Sequence, residues 1–255
     1  MEAVYRPIVS VAKGLFALQG NTITRIGADN IPAEGGAVIV INHIGYLDFA
    51  YAGIPADDVN RLVRFMAKKE VFDHKITGPL MRGMKHIPVD RAAGATAFRE
   101  AMKALRGGEL IGVFPEATIS RSFELKEFKS GAVRMAQSAG VPIIPMVVWG
   151  TQRVWTKDHP KAVGKRNGVP ITIQVGQAIP VPKGINCDAV LAQAKSVMTS
   201  MLHEVQDSYP AMTGEDCIYQ PARLGGSAPT QEEARELDER ELAARLAKKQ
   251  ARAGR

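Results

Sequence analysis

The sequence has little cysteine, few aromatic residues and no long apolar run, and each shortage excludes a class of protein. Cys187 and Cys217 are too few for a disulfide framework or a four-thiolate zinc site. Aromatic residues make up 6% of the chain, without the interleaved pattern of an RNA-binding motif. The longest apolar runs, near 37–41 and 141–149, fall short of the roughly 20 residues of a membrane-spanning helix. Since no signal peptide is recognisable, we expect a reducing compartment.

The composition of the 255 residues is that of a globular protein with a basic excess. Apolar residues account for 45% and charged residues for 23%, which excludes wholesale disorder. Lys and Arg outnumber Asp and Glu by 33 to 26, so the formal net charge is +7. The tail from Ser227 holds seven bases and six acids, so the excess belongs to the preceding residues. Such a field favours an anionic partner: nucleic acid, anionic lipid, coenzyme phosphates or a phosphorylated substrate.

An amphipathic helix is predicted at the N-terminus. Apolar residues recur there at spacings of three and four: Val4, Ile8, Val11, Leu15 and Leu18. Arg6 and Lys13 lie together on another face. Such a helix either packs on its own domain or lies in a membrane surface with its cations near lipid phosphates, and the sequence leaves both open.

Short β-branched runs alternate with helical patterns in most of the chain. Strands are predicted at 37–41, 63–67, 85–89, 110–114, 143–149 and 171–175, and helices at 95–106, 129–139 and 188–208. This alternation predicts an α/β fold, a single domain whose largely parallel or mixed central sheet is flanked by helices. We expect residues 1–24 to form the amphipathic helix, 25–210 the main domain, and 211–255 a C-terminal extension that is a charged helix or partly disordered.

Two polar segments follow predicted strands, where ligands bind in open α/β sheets. His43 and Asp48 are five residues apart, so they meet only if His43 lies in the turn and Asp48 in the next helix. The carboxylate then fixes the tautomer of an imidazole that acts as a general base. Glu116 follows the strand at 110–114. Taken singly, each residue also has a structural explanation. His43 could cap a turn, Asp48 could cap a helix, and Glu116 could be the partner of a helix N-cap.

Four blocks together resemble the glycerolipid acyltransferase family, the PlsC-like lysophosphatidate and glycerol-3-phosphate acyltransferases. Asn42, His43 and Asp48 match its NHxxxxD motif. The segment 83–91 looks like its second block, which ends in Arg91. The segment 114–120 matches five of the seven residues of FPEGTRS, and 141–145 fits its last block. The resemblance covers residues 25–180.

Two departures from the third block bear on the acceptor. The family's glycine is Ala117 here, and the arginine expected to hold the acceptor's phosphate is Ile119. Candidate replacements for that arginine are Arg91, Lys68, Lys69 and Arg121. The resemblance also predicts that Glu116 binds glycerol hydroxyls, and we expect Thr118 at the substrate.

The resemblance implies transfer of an acyl group from acyl-CoA or acyl carrier protein to a hydroxyl of 1-acylglycerol-3-phosphate, in phospholipid biosynthesis. His43 would be the base and Asp48 its partner; no metal or cofactor is expected, acyl-CoA being a co-substrate. We expect a peripheral enzyme on the cytoplasmic face of the plasma membrane. Glycerol-3-phosphate, a lysophospholipid or a glycolipid are alternative acceptors. A non-catalytic protein that binds anionic lipid or nucleic acid is the alternative of another class.

Overall fold

A seven-stranded sheet organises the chain in a computed structural model that describes residues 4–90 and 94–253. In chain order the strands are β1 (Thr22–Ile26), β2 (Ala37–Ile41), β3 (Val63–Lys68), β4 (Ile87–Val89), β5 (Leu110–Val113), β6 (Ile143–Trp149) and β7 (Pro170–Val175). Their spatial order is β1-β7-β6-β2-β5-β3-β4. The five strands from β6 to β4 are parallel, and β7, with its parallel neighbour β1, runs against them.

Nine α-helices of the described residues surround or follow the sheet. They are α1 (Tyr5–Leu18), α2 (Asp48–Ala52), α3 (Ile54–Asp58), α4 (Lys69–Asp73), α5 (Thr77–Gly83), α6 (Gly94–Arg106), α7 (Gly131–Ala139), α8 (Cys187–Asp207) and α9 (Gln231–Ala253). Asn186 caps α8 by accepting the amide of Asp188 at 2.8 Å. None of these helices is both long and apolar enough to cross a membrane.

The central strand β2 is buried at every position because helices cover both faces of the sheet. Val38 and Val40 pack with residues of α6, α7 and α8 on one face. Ile39 and Ile41 point the other way and pack with residues of α1 and α2. With both faces closed, the polar residues that follow the strands collect at the sheet's edge.

The predicted α/β architecture is confirmed, and the six predicted strands correspond to β2–β7. The sequence prediction missed β1, which pairs with β7 from Thr22 to Ile26 and spans the boundary predicted at residues 24 and 25. The mainly exposed strand β1 has little of the apolar signal that marks β2.

Helix α1 has an apolar face on each side. Its inner face holds Tyr5, whose hydroxyl donates to the carbonyl of Val63 at 2.6 Å, and Phe16, which stacks on Tyr51 at 4.0 Å. The outer face is exposed and carries Val11, Leu15 and Leu18. The helix therefore packs on its own domain and still presents an apolar stripe to solvent.

The two cations of α1 are held by the protein. Lys13 Nζ lies 2.5 Å from a carboxylate oxygen of Asp57, and Arg6 lies 3.7 Å from the other oxygen. Asp58 adds a further contact to Lys13 at 3.6 Å. These pairs direct both cations towards α3.

Candidate active site

Two loops at the same edge of the sheet form the candidate site. The histidine loop, residues 42–47, joins β2 to α2, and the glutamate loop, residues 114–130, joins β5 to α7. Because β2 and β5 are parallel neighbours, both loops leave the sheet at the carboxyl ends of their strands. Strand β6 flanks β2 on the other side and brings the segment after Trp149 to the same edge.

Asp48, the first residue of α2, holds the histidine loop and is fully buried. Its Oδ2 accepts the backbone N–H groups of Ile44 at 2.7 Å and Gly45 at 2.8 Å. The same oxygen lies 3.0 Å from His43 Nδ1. The other oxygen accepts the hydroxyl of Thr151 at 2.5 Å. An acceptor-only carboxylate places the proton of a neutral imidazole on Nδ1 and leaves the lone pair on Nε2.

The face of the His43 ring also has a contact that fixes its orientation. It stacks on Phe114 at a centroid distance of 4.4 Å. Its side chain is 21% exposed, and among the described residues none bonds to Nε2. The ring atom with the lone pair is thus open to an incoming group.

Glu116 ties the two loops together. Its Oε1 accepts the backbone N–H of His43 at 2.8 Å, and its Oε2 accepts the N–H of Lys126 at 3.0 Å. The carbonyl of His43 in turn accepts the N–H of Ser120 at 2.7 Å. Glu116 is 4% exposed, and burial raises the pKa of its carboxyl to about 8, although the two amide donors act to lower it. A movement of the glutamate loop would therefore move the backbone of His43.

Asn42 joins the histidine loop to β6. Its side-chain amide donates to the carbonyl of Val148 at 3.0 Å, and its side-chain oxygen accepts the N–H of the same residue at 2.7 Å. The Thr156 hydroxyl donates to the carbonyl of Ile44 at 2.6 Å. The side-chain amide of Asn42 and the carbonyl of Ile44 are thereby paired at this buried edge.

Two of the predicted phosphate-binding residues lie at the adjoining end of β3. Lys68 ends β3 and Lys69 begins α4, both with exposed side chains. A cavity of about 470 Å³ is lined there by Lys69, Arg82 and Thr96 together with Asp73 and Asp90. Arg91 lies outside the described residues.

The other two predicted substrate-binding residues lie on the glutamate loop. The hydroxyl of Thr118 accepts a hydrogen bond from Lys126 Nζ at 2.7 Å. The guanidinium of Arg121 is 8% exposed and is paired with Asp158, Asp238 and Glu241. A phosphate would have to displace carboxylates to reach it, so phosphate binding by Arg121 stays a prediction.

Two residues that hold the site were missed in the sequence. Thr151 follows the carboxyl end of β6 by two residues, so the rule that singled out Glu116 would have found it. Lys126, which contacts Glu116, Thr118 and Asp238, gives no such signal, because its partners are brought together only by the fold.

Comparisons with known proteins agree with this geometry. A model of the family described as Acyltransferase matches residues 22–149. A 1-acyl-sn-glycerol-3-phosphate acyltransferase of Bacillus subtilis is 31% identical over 148 residues, 58% of this chain and 72% of that protein. One from Borreliella burgdorferi is 28% identical over 172 residues, 65% of each chain. One from Limnanthes douglasii is 33% identical over 144 residues, 54% of this chain and about half (48%) of the plant protein.

A solved structure shares the fold. The crystal structure of the 1-acyl-sn-glycerophosphate acyltransferase PlsC from Thermotoga maritima superposes with a TM-score of 0.65. The two chains are 21% identical, and the superposition covers 81% of each.

Proposed function

Because this chain belongs to the Acyltransferase family, we propose that it is the O-acyltransferase that moves a fatty acyl group from a thioester to the free hydroxyl of 1-acylglycerol-3-phosphate. The observation that carries the proposal is the contact of His43 Nδ1 with buried Asp48, beside Glu116. The acceptor follows from the relatives named above as 1-acyl-sn-glycerol-3-phosphate acyltransferases. The donor proposed is acyl-CoA or acyl carrier protein.

In the proposed reaction His43 acts as a general base. Its Nε2 removes the proton of the acceptor hydroxyl while the oxygen attacks the thioester carbonyl, which forms a C–O bond and a tetrahedral oxyanion. Asp48 accepts the Nδ1–H and stabilises the imidazolium that results. Collapse of the oxyanion breaks the C–S bond, and the thiolate leaves and takes up the proton from Nε2. General-base help of this kind contributes about 10²- to 10⁴-fold to a rate.

Glu116 is proposed to face the glycerol part of the acceptor. Each of its carboxyl oxygens already accepts one backbone N–H. With its pKa raised to about 8 by burial, the carboxyl holds a proton at neutral pH. A protonated carboxyl can donate one hydrogen bond and still accept others, which leaves capacity for a glycerol hydroxyl. The same residue would then orient both the acceptor and the histidine loop.

Phosphate binding is proposed for the cations beside the cavity at the end of β3. Lys69 lines the 470 Å³ cavity, and Lys68 precedes it in the chain. Arg91 belongs to the same block of sequence, and its planar fork suits phosphate. Asp73 and Asp90 also line this cavity, and their carboxylates repel a phosphate. We therefore propose that only a small number of cations contact the phosphate directly. Glycerol-3-phosphate carries the same phosphate and is the first alternative acceptor to compare.

The acyl chain is proposed to lie under α1. An apolar pocket of about 60 Å³ there is lined by residues that include Phe16, Phe49 and Phe65. Phe65 stacks with Phe114 at 6.3 Å, and Phe114 stacks on His43, so the pocket is linked to the candidate base through two stacked rings. Its volume is that of about two water molecules at roughly 30 Å³ each. A fatty acyl chain therefore requires α1 to move outward.

We also propose that α1 rests on a membrane surface. The support is its outer apolar stripe, in which Leu18 is 75% and Val11 is 63% exposed. Insertion of such side chains into the interface is favourable at about 0.025 kcal/mol per Å² buried. Because Arg6 and Lys13 are already paired with α3, the contact would be mainly apolar. The cytoplasmic face of the plasma membrane is the proposed place.

The proposal is tested with purified protein, acyl-CoA or acyl carrier protein, and a panel of acceptors. Thiol release gives the rate, and mass spectrometry identifies the product. We expect 1-acylglycerol-3-phosphate to be the best acceptor, ahead of glycerol-3-phosphate, lysophospholipids and glycolipids. Thiol release that no acceptor increases would reject acyl transfer. A preference for another acceptor would keep the chemistry and replace the substrate.

A further inference from the structure

The C-terminal helix α9 reaches the glutamate loop, although it lies outside residues 22–149, which the family model matches. Asp238 accepts hydrogen bonds from Lys126 Nζ and from Arg121 Nε, the latter at 3.2 Å. Glu241, one turn later, lies 2.8 Å from Arg121 Nη2 and 2.6 Å from Lys157 Nζ. At the start of the helix, Gln231 donates to the carbonyl of Leu125 at 3.2 Å. Helix α9 is thus attached along the segment that ends at Lys126.

Most of the carboxylates at this contact come from α9. Three cations outside α9, Arg121, Lys126 and Lys157, face three carboxylates, and Arg245 of α9 also pairs with Glu241. One carboxylate, Asp158, belongs to the same loop region as Lys157, and α9 supplies the other two. Exposed ion pairs contribute little, but the guanidinium of Arg121 is nearly buried. Without α9 this guanidinium would lose two of its three carboxylate partners, which is costly for a buried charge.

Lys126 connects this contact to the reacting groups. Its Nζ lies between Asp238 and the hydroxyl of Thr118, and its backbone N–H donates to Glu116. Glu116 in turn holds the backbone N–H of His43. Three side chains and two amide groups therefore form one continuous path from α9 to the histidine loop, with Thr118 as a side branch.

We propose that Asp238 is a positioning residue for acyl transfer, which acts through Lys126 to keep Glu116 and the histidine loop in their reactive arrangement. The proposal deepens the proposed function and, for its effect on turnover, rests on it. It makes α9 a supporting part of the active site, where the sequence analysis expected a C-terminal extension that is a charged helix or partly disordered.

Kinetics of full-length variants test the proposal. Asp238→Asn keeps the shape of the side chain and removes its charge, and we expect kcat to fall about tenfold, since small misplacements of reacting groups cost up to about 10²-fold. The KM for the acyl donor should stay within twofold. Asp238→Glu restores the charge and should recover most of the lost kcat. Glu239→Gln, the matched change on an exposed part of α9, should have no effect.

Hydrogen exchange gives a measurement that does not depend on activity. In Asp238→Asn the amides of His43 and Lys126, which both bond to Glu116, should exchange about tenfold faster than in the wild type. Lys126→Met keeps the backbone N–H and most of the aliphatic side chain but removes the ammonium group that bonds to Asp238. It therefore tests the contact between Asp238 and Lys126 from the side of the glutamate loop. This test does not depend on whether the Asp238 variant folds. We expect the same loss of kcat in that variant.

The outcomes separate this proposal from the proposed function. Normal kcat and normal exchange in folded variants would overturn the proposal and leave α9 as a mere attachment. A rise in kcat would also overturn it, because α9 would then obstruct the site. A wild type inactive with every acceptor would reject acyl transfer, whereas the exchange rates would still decide whether Asp238 holds the glutamate loop.

Discussion

The two loops of the candidate site differ in where their charged partners come from. The histidine loop turns around a carboxylate from its own neighbourhood, because Asp48 accepts the amides of residues three and four positions earlier. Bonds to distant residues, such as that of Asn42 to Val148, then attach this turn to the sheet. The glutamate loop takes its charged partners from farther away, since Arg121 and Asp238 are 117 residues apart. The turn around Asp48 can be recognised within seven residues of sequence, whereas the ion pairs of Arg121 depend on the whole fold.

The largest expected effect comes from a change at Asp48, the local partner of the histidine loop. Asp48→Asn removes the charge that faces His43 Nδ1 and presents an amide group that suits the wrong imidazole tautomer. We expect kcat to fall by about 10²- to 10⁴-fold, the range in which such tautomer errors and lost base catalysis fall. Thiol release from acyl-CoA in the presence of acceptor measures it.

The matched control for that change is Asp29→Asn, an exposed aspartate in the short helix before β2. It should leave kcat unchanged. If Asp48→Asn retained more than a tenth of the wild-type kcat, the histidine loop would not owe its function to this carboxylate.

A pH effect on stability should come from the residue that joins the two loops. The pKa of Glu116 is about 8 in the folded protein and near 4.5 in a solvated chain. The unfolded chain therefore releases this proton first, so the contribution is fully present below pH 4.5 and is lost as the pH rises towards 8. Relative to Glu116→Gln, the wild type should lose free energy of unfolding by up to about 1.4 kcal/mol per pH unit in that range.

Denaturant unfolding of both proteins between pH 4.5 and 8.5 measures the difference. Glu100→Gln on the exposed side of α6 should follow the wild-type curve. If the free energy of unfolding of Glu116→Gln had the same pH dependence as that of the wild type, Glu116 would not keep its proton to pH 8 in the folded protein.

The smallest expected effect concerns the backbone of the glutamate loop. Ala117 has a φ of +62°, the left-handed region that favours glycine. That conformation costs a residue with a side chain about 1–2 kcal/mol, and the greater freedom of glycine in the unfolded chain offsets about half of the gain. Ala117→Gly should therefore stabilise the protein by about 0.5–1 kcal/mol.

Thermal or denaturant unfolding measures the stability of this variant. The control is Ala33→Gly, a change at an exposed loop residue whose φ is negative. The control should be neutral or destabilising. A loss of stability in Ala117→Gly as well would mean that the strain at this position is relieved by something other than the backbone.

The same contrast explains what the sequence could predict. The strand β2 and the residues Asn42, His43 and Asp48 lie in one continuous segment, where burial and turn chemistry leave a readable pattern. Strand β1 was missed because its exposed, mixed residues have no such pattern. The ion pairs of Arg121 were missed because carboxylates 37 to 120 residues away leave no local signal. Thr151 was within reach, since it follows a strand predicted correctly.

The central claim is that Nε2 of His43 removes the proton of an alcohol, and the turnover of His43→Ala tests it most directly. His74→Ala, a change at an exposed histidine between α4 and α5, is the matched control. The account predicts that kcat for thiol release falls by at least about 10²-fold in the first variant and stays at the wild-type value in the second. Near-normal turnover by a folded His43→Ala protein would contradict it.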